Sequence, residues 1–104
     1  MDAQNAARPT DNPGKPFFYP SREMRAGYLD SRKNELDVLL AFAKGNVWKE
    51  VVVVANHVRG TGAMYGFENI GNAAEGLSKA IQNGDPKCLD FVHAYAGAVN
   101  VAYV

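Results

Sequence analysis

Proline is distributed along this chain so unevenly that it sets most of the architecture. Pro9, Pro13, Pro16 and Pro20 fall in the first twenty residues, with Gly14 and several Asn and Asp residues among them. Each proline lacks an N–H donor and clashes with a preceding helical turn, so such a segment sustains neither a helix nor a central strand. Residues 1–20 therefore read as a flexible, Pro-rich tail. Its last part differs: Phe17, Phe18 and Tyr19 are consecutive aromatics, costly to leave in water, and they predict a strap packed onto the domain. From Ser21 to Asp85 there is no proline at all, and residues 21–104 read as one helical domain.

Within that stretch the apolar residues recur at threes and fours. Ser21 is placed to N-cap a first helix running to about Lys44, with Leu29, Leu36, Leu39, Leu40 and Ala43 on its inner face and Gly45-Asn46 as its stop. A second segment runs from Val47 to about Met64 and a third from Phe67 to Gln82, ended by Asn83-Gly84. Asp85-Pro86 supplies an N-cap and an N1 proline for a fourth helix, whose stripe is Leu89, Val92, Tyr95, Ala96 and Val99. Connections this short between four helices predict an all-α, antiparallel four-helix bundle.

The second segment needs an argument, because Val51-Val52-Val53-Val54 is β-branched throughout and suits a buried strand. At 100° per residue, however, Val47, Val51, Val54, Ala55, Val58 and Gly62 share one arc, with Trp48 at its margin, while Lys49, Val53, Asn56 and Gly60 lie opposite. No second strand signal exists to pair with a lone strand, so helix is expected. The outward face is unusual in being small and apolar: Val52, Val53, Gly60 and Ala63 surround Asn56, with Lys49, His57 and Arg59 near the edges. Such a face is either covered by another helix or is a docking surface.

Composition narrows the function. Eleven basic residues balance 11 acidic ones, which argues against nucleic-acid binding by counterion release. Apolar residues make up 47% of the chain, too many for disorder along its length. The single cysteine, Cys88, excludes an internal disulfide and a Cys-rich zinc site and suits a reducing compartment. No apolar run approaches the roughly 20 residues that span a bilayer, and no signal peptide is evident, so a soluble, cytoplasmic protein without membrane association is expected. Two histidines without clustered carboxylates predict no metal site, and no cofactor motif is present. Gly60-x-Gly62 with Gly66 lacks the preceding strand of a dinucleotide fold. Thr61 and Ser78 lack the partners of a hydrolytic nucleophile. Met24, Met64 and Trp48 are expected to fill core, and His93 to pack partly buried beside the fourth-helix stripe.

The run Ala55-Asn56-His57-Val58-Arg59-Gly60-Thr61-Gly62-Ala63-Met64-Tyr65-Gly66-Phe67 resembles the signature of histidine-phosphotransfer (HPt) domains, the four-helix phosphocarriers of two-component phosphorelays. In that family the second bundle helix reads Ala-His-x-Leu-Lys-Gly, with a second glycine six positions after the first. Gly60 and Gly66 match the glycines, Arg59 the basic residue and Val58 the buried aliphatic. Ile70, Ala73, Leu77 and Ala80 before Asn83-Gly84-Asp85, and Tyr28-Leu29-Asp30-Ser31-Arg32 in the first helix, also look like the family, so the likeness spans roughly residues 24–100.

The departure falls at the phosphorylated histidine, whose position is held by Asn56. The chemistry needs a neutral ring nitrogen to attack an aspartyl phosphate, and an amide nitrogen, its lone pair delocalised, is no nucleophile. The resemblance therefore implies a degenerate phosphorelay protein that docks a response-regulator receiver domain, with a hybrid histidine kinase as a further partner, without carrying phosphate. Binding falls to Lys49, Val52, Val53, Arg59, Gly60 and Ala63. Two alternatives stand: an active phosphotransfer protein using His57, displaced about 100° round the helix, and a helical interaction module unrelated to phosphorelay. An Asn56→His exchange, if Asn56 is an ordinary surface residue, is expected to cost no more than about 0.5 kcal/mol.

Overall fold

The computed structural model describes residues 19–104. They form four helices: α1 (Arg22–Lys44), α2 (Trp48–Thr61), α3 (Glu68–Gln82) and α4 (Cys88–Val101). No strand occurs among the described residues, and the Val51–Val54 run is helical. Each helix packs against two others, α1 on α2 and α4, α3 on α2 and α4, around a single apolar core. The Pro-rich tail and most of the aromatic strap lie outside the described residues. Of the strap, Tyr19 is 61% exposed, so it does not pack as expected.

The helix ends follow local chemistry. The Ser21 side chain accepts from the Met24 N–H at 3.1 Å, the N-cap bond that satisfies one orphan donor of the first turn. Three chain reversals then use one device. Asn46, Gly66 and Gly84 have φ of 60°, 88° and 63°, and the residue after each donates back across the turn, Val47 to the Phe42 carbonyl, Phe67 to Gly62 and Asp85 to Ala80. This is the Schellman arrangement, which needs a left-handed residue. At the first stop Asn46, not Gly45, takes that conformation. The fourth helix starts later than Asp85-Pro86 suggests. Asp85 does cap, its carboxylate accepting from the Lys87 N–H at 2.8 Å, but this closes a separate turn and the α-helix begins at Cys88.

The core is built from Leu29, Leu36, Leu39 and Ala43 of α1, Val51, Ala55 and Val58 of α2, Ile70, Ala74 and Leu77 of α3, and Val92, Tyr95 and Val99 of α4. Trp48 packs partly buried against it. Met24 and Met64 do not fill core; they are 44% and 48% exposed, because Met24 lies in the first turn of α1 and Met64 in the turn after α2, both at the rim. Leu89 and Val47 are each 38% exposed for the same reason of position. His93 is exposed and not packed. Among the described residues one guanidinium is buried: Arg32 reaches both Glu35 oxygens, at 3.0 and 2.8 Å, and lies 4.6 Å from the centre of the Tyr28 ring. Burial works against its charge, but the contact with Tyr28 and the Glu35 carboxylate outweigh this and hold its pKa above the ordinary value.

The tightest constraint is between α2 and α3. A Cβ on Gly62 would lie 2.7 Å from the Gly71 nitrogen and 2.8 Å from its Cα. These are backbone atoms of the neighbouring helix, with no rotamer to relieve the clash. A Cβ on Gly60, in contrast, meets nothing within 4 Å. Gly62→Ala is therefore expected to destabilise by about 1–3 kcal/mol, the range for overpacking. Gly60→Ala should stabilise by about 0.5–1 kcal/mol through helix propensity. Urea unfolding of the two variants checks the contrast in sign.

Tyr95 is 1% exposed, and its hydroxyl has no hydrogen-bond partner among the described residues. Burial pushes its pKa well above the ordinary 10.0; nearby Arg32 opposes this, while Glu35 and Tyr28 add to it. An unfolded chain ionises this phenol near its ordinary pKa and the folded one does not, so folding retains a proton there and stability falls as pH rises past 10. Tyr95→Phe is expected to gain about 1 kcal/mol at neutral pH by removing an unsatisfied buried group. It should also flatten the loss of stability on the alkaline side, measured as Tm from pH 8 to 11.

Candidate functional site

The inward residues of α2 dictate what it shows outside. With Val51, Ala55 and Val58 in the core, the positions half a turn away face outward, and Lys49, Val53, Asn56, Arg59 and Gly60 are exposed as expected, Val52 partly so. Val53 is 64% exposed, a β-branched apolar side chain in water. α1 and α3 flank α2 on either side. Arg59, one turn beyond Asn56, puts a guanidinium on the same surface. Gly60 leaves the backbone there open.

Asn56 is not a free surface side chain. The Ser78 Oγ of α3 donates to its Oδ1 across 2.5 Å, and the same Oγ accepts from Gln82 Nε2 at 3.2 Å. Ser78 is 2% exposed, so this bond ties the site to the α2–α3 interface. The expectation that position 56 can be exchanged at almost no cost is thereby corrected. Sequence reasoning set Ser78 aside as a nucleophile without partners and missed this role. The signal was available: a serine beside Leu77, Ala80 and Ile81, on the inner side of an amphipathic helix, is a buried hydroxyl that must find a partner.

His57 sits on the other flank of α2. With Tyr28, Ser31, Arg32, Thr61 and Tyr65 it lines a groove of about 350 Å³ between α1 and α2. Its backbone carbonyl accepts from Thr61 Oγ1 at 3.0 Å, and that hydroxyl is 2.7 Å from the Tyr28 hydroxyl. The Tyr28 ring stacks on Tyr65 with centroids 4.3 Å apart, so this groove is walled by ordered aromatics. Asn56 thus belongs to the α3 side and His57 to the α1 side.

Ala63 is exposed but lies beyond the end of α2, where it lines a different cavity, about 500 Å³, with Phe67, Ile70, Ala98, Val101 and Tyr103. Lys49, Val53, Asn56, Arg59 and Gly60 are thus exposed along one helix, while Ala63 lies past its end and lines another cavity. The Gly66 turn that follows Ala63 is fastened from α1: Arg25 Nε donates to the Tyr65 carbonyl at 2.9 Å, and its guanidinium lies 5.2 Å from the Phe67 ring centre. No group of three or more His, Cys, Asp or Glu side chains able to hold a metal occurs among the described residues. Likewise no described helix is long and apolar enough to cross a membrane.

The exposed face offers an apolar centre, two cationic side chains and a carboxamide, and at position 56 it has no nucleophile. Compared with protein-family models, with curated proteins and with solved structures, the chain matches none.

The Asn56–Ser78 bond predicts coupled stabilities. Asn56→Ala and Ser78→Ala should each destabilise, and the double variant should cost less than their sum by about 0.5–1.5 kcal/mol, the net value of one hydrogen bond. A double-mutant cycle by urea unfolding measures it.

Proposed function

We propose that this chain is a degenerate HPt-type protein: an antiparallel four-helix bundle, working in the cytoplasm, that docks a response-regulator receiver domain through the face around Asn56 and does not itself carry phosphate. The observation that carries the reading is Val53, 64% exposed, on the same outward face as the open backbone of Gly60 two turns on and the cation of Arg59. An apolar side chain this exposed, on a face free of bulk, favours close approach of a partner. The two positive side chains, Lys49 and Arg59, suit an acidic receiver pocket, and the guanidinium of Arg59 can chelate an oxyanion. The pairs Gly62–Gly71 and Asn56–Ser78 support the antiparallel arrangement of α2 and α3: stepping back along one helix corresponds to stepping forward along the other.

Active phosphotransfer through His57 is the competing reading. It is favoured by an exposed imidazole but opposed by its place in the α1–α2 groove. An acceptor turned that far round the helix needs a different docking pose from one at position 56.

One titration set tests both. Receivers from the same genome are titrated with the protein, and Val53→Glu is expected to raise Kd more than about tenfold, because it would bury an unpaired carboxylate. Binding by no receiver, or binding indifferent to Val53→Glu, removes the proposal. Incubation with a phosphorylated receiver should leave the wild type unlabelled and label Asn56→His, with or without His57→Ala. An acid-labile, base-stable label on the wild type that disappears in His57→Ala would instead make it an active carrier.

A further inference from the structure

The Asn56 carboxamide has two ends, and its bond to the buried Ser78 hydroxyl decides which one faces out. Ser78 Oγ lies 2.5 Å from Asn56 Oδ1. That separation belongs to an O–H···O bond and is shorter than the roughly 2.7 Å at which N–H···O bonds begin. Ser78 has a single proton, and its oxygen already accepts from Gln82 Nε2 at 3.2 Å. That oxygen has room for a second acceptance, so it is the 2.5 Å separation that assigns the proton to the bond with Asn56, whose Oδ1 is turned to α3. The Asn56 Nδ2, with two N–H donors, is left on the exposed side of the site, on the surface that carries Arg59.

From this arrangement we infer that Asn56 is a fixed hydrogen-bond donor which, together with Arg59, recognises an anionic phosphoryl oxygen on the docked partner, and that Ser78 and Gln82 are the positioning residues that hold it in that sense. The inference rests on the receiver-docking reading and adds its regulation: the protein distinguishes a phosphorylated receiver from an unphosphorylated one, and binds the phosphorylated form more tightly. A histidine in this place is a nucleophile that consumes the phosphoryl group. An oriented carboxamide has only donors to offer the same oxygens. It can hold them without reacting, so no bond is made or broken.

The orientation matters because an asparagine without the Ser78 bond presents either end. With Oδ1 outward it would set a partial negative charge against the anion. With Nδ2 outward it adds a charge-assisted bond, among the stronger kinds of hydrogen bond. Arg59 attracts the anion in either case, so the part of the specificity that Asn56 adds depends on Ser78, which is buried away from the face.

Two measurements test this separately from docking itself. In NMR spectra of the free protein, the Asn56 side-chain amide protons should show no strong cross-peaks to the Ser78 β-protons, since Nδ2 points away from them. Strong cross-peaks would overturn the inference whatever the protein binds. In titrations, a receiver loaded with beryllofluoride as the phosphoryl mimic should bind about tenfold or more tightly than the unloaded receiver, the ratio expected for one hydrogen bond to a charged group. Ser78→Ala and Asn56→Asp should each lower that ratio, leaving only the part that Arg59 supplies, while Val53→Glu weakens both forms alike. Equal affinity of the wild type for the two forms, or an undiminished ratio in Ser78→Ala, overturns the inference and leaves receiver docking standing. Absence of binding to either form rejects both proposals.

Discussion

The contact between Gly62 and Gly71 sets the spacing on which the rest of the molecule depends. Two helices whose backbones touch cannot slide or rotate without opening a gap or making a clash. Here the approach is close enough that a single methyl on Gly62 would fall 2.7 Å from a backbone nitrogen. About two turns away along both helices, the same spacing brings Ser78 Oγ within hydrogen-bond reach of Asn56. A wider separation would leave Ser78 buried with its proton unmatched and Asn56 loose on the surface. The glycine contact and the polar bond are thus two consequences of one helix–helix fit.

The opposite flank of α2 is held by aromatic and cationic contacts. Arg25 reaches across to the Tyr65 carbonyl, Tyr28 stacks on Tyr65 and, at a longer 6.0 Å, on Phe67, and Arg32 covers the other part of Tyr28. Stacked rings and guanidinium groups over rings add modestly to area burial, about 0.5–1.5 kcal/mol for an aromatic pair. Their effect is directional: they hold the turn at Gly66, which carries φ of 88°, against the first turns of α1. α2 is therefore clamped on one flank by backbone contact and on the other by stacking, and its outward face remains fixed without a covering element among the described residues.

Rigidity of this kind suits recognition better than turnover. A carboxamide tied to a buried hydroxyl, an exposed valine and an open glycine form a surface already in one conformation before a partner arrives, which lowers the ordering cost of association. The unmatched Tyr95 hydroxyl lies elsewhere, in the core near the Arg32–Glu35 pair, and its cost falls on stability and not on the exposed face.

How much of this was legible beforehand follows from the range of each interaction. Local rules sufficed for the number and type of the elements, though the second helix ends at Thr61 and not near Met64, and the fourth begins at Cys88 and not at Asp85-Pro86. Ser21 capped, Asn46, Gly66 and Gly84 reversed the chain, and the three-and-four spacing of Val51, Ala55 and Val58 overrode the strand propensity of the valine run, because a helix's buried face depends only on its own period. The same arithmetic placed Val53, Asn56 and Gly60 outside. It misjudged Met24 and Met64, since periodicity knows the face of a helix but not how far the neighbouring helices extend along it. It also misjudged His93, which lies close to the apolar stripe in angle yet is exposed. Ser78 shows the limit most clearly: composition alone says that a serine on an inner face needs a partner, but the partner lies on another helix. Which atom it meets is decided only when Gly62 and Gly71 bring the two backbones together. The chain's own order determined which residues face out. Only the packing of α3 on α2 decided that one of them, Asn56, faces out in a single orientation.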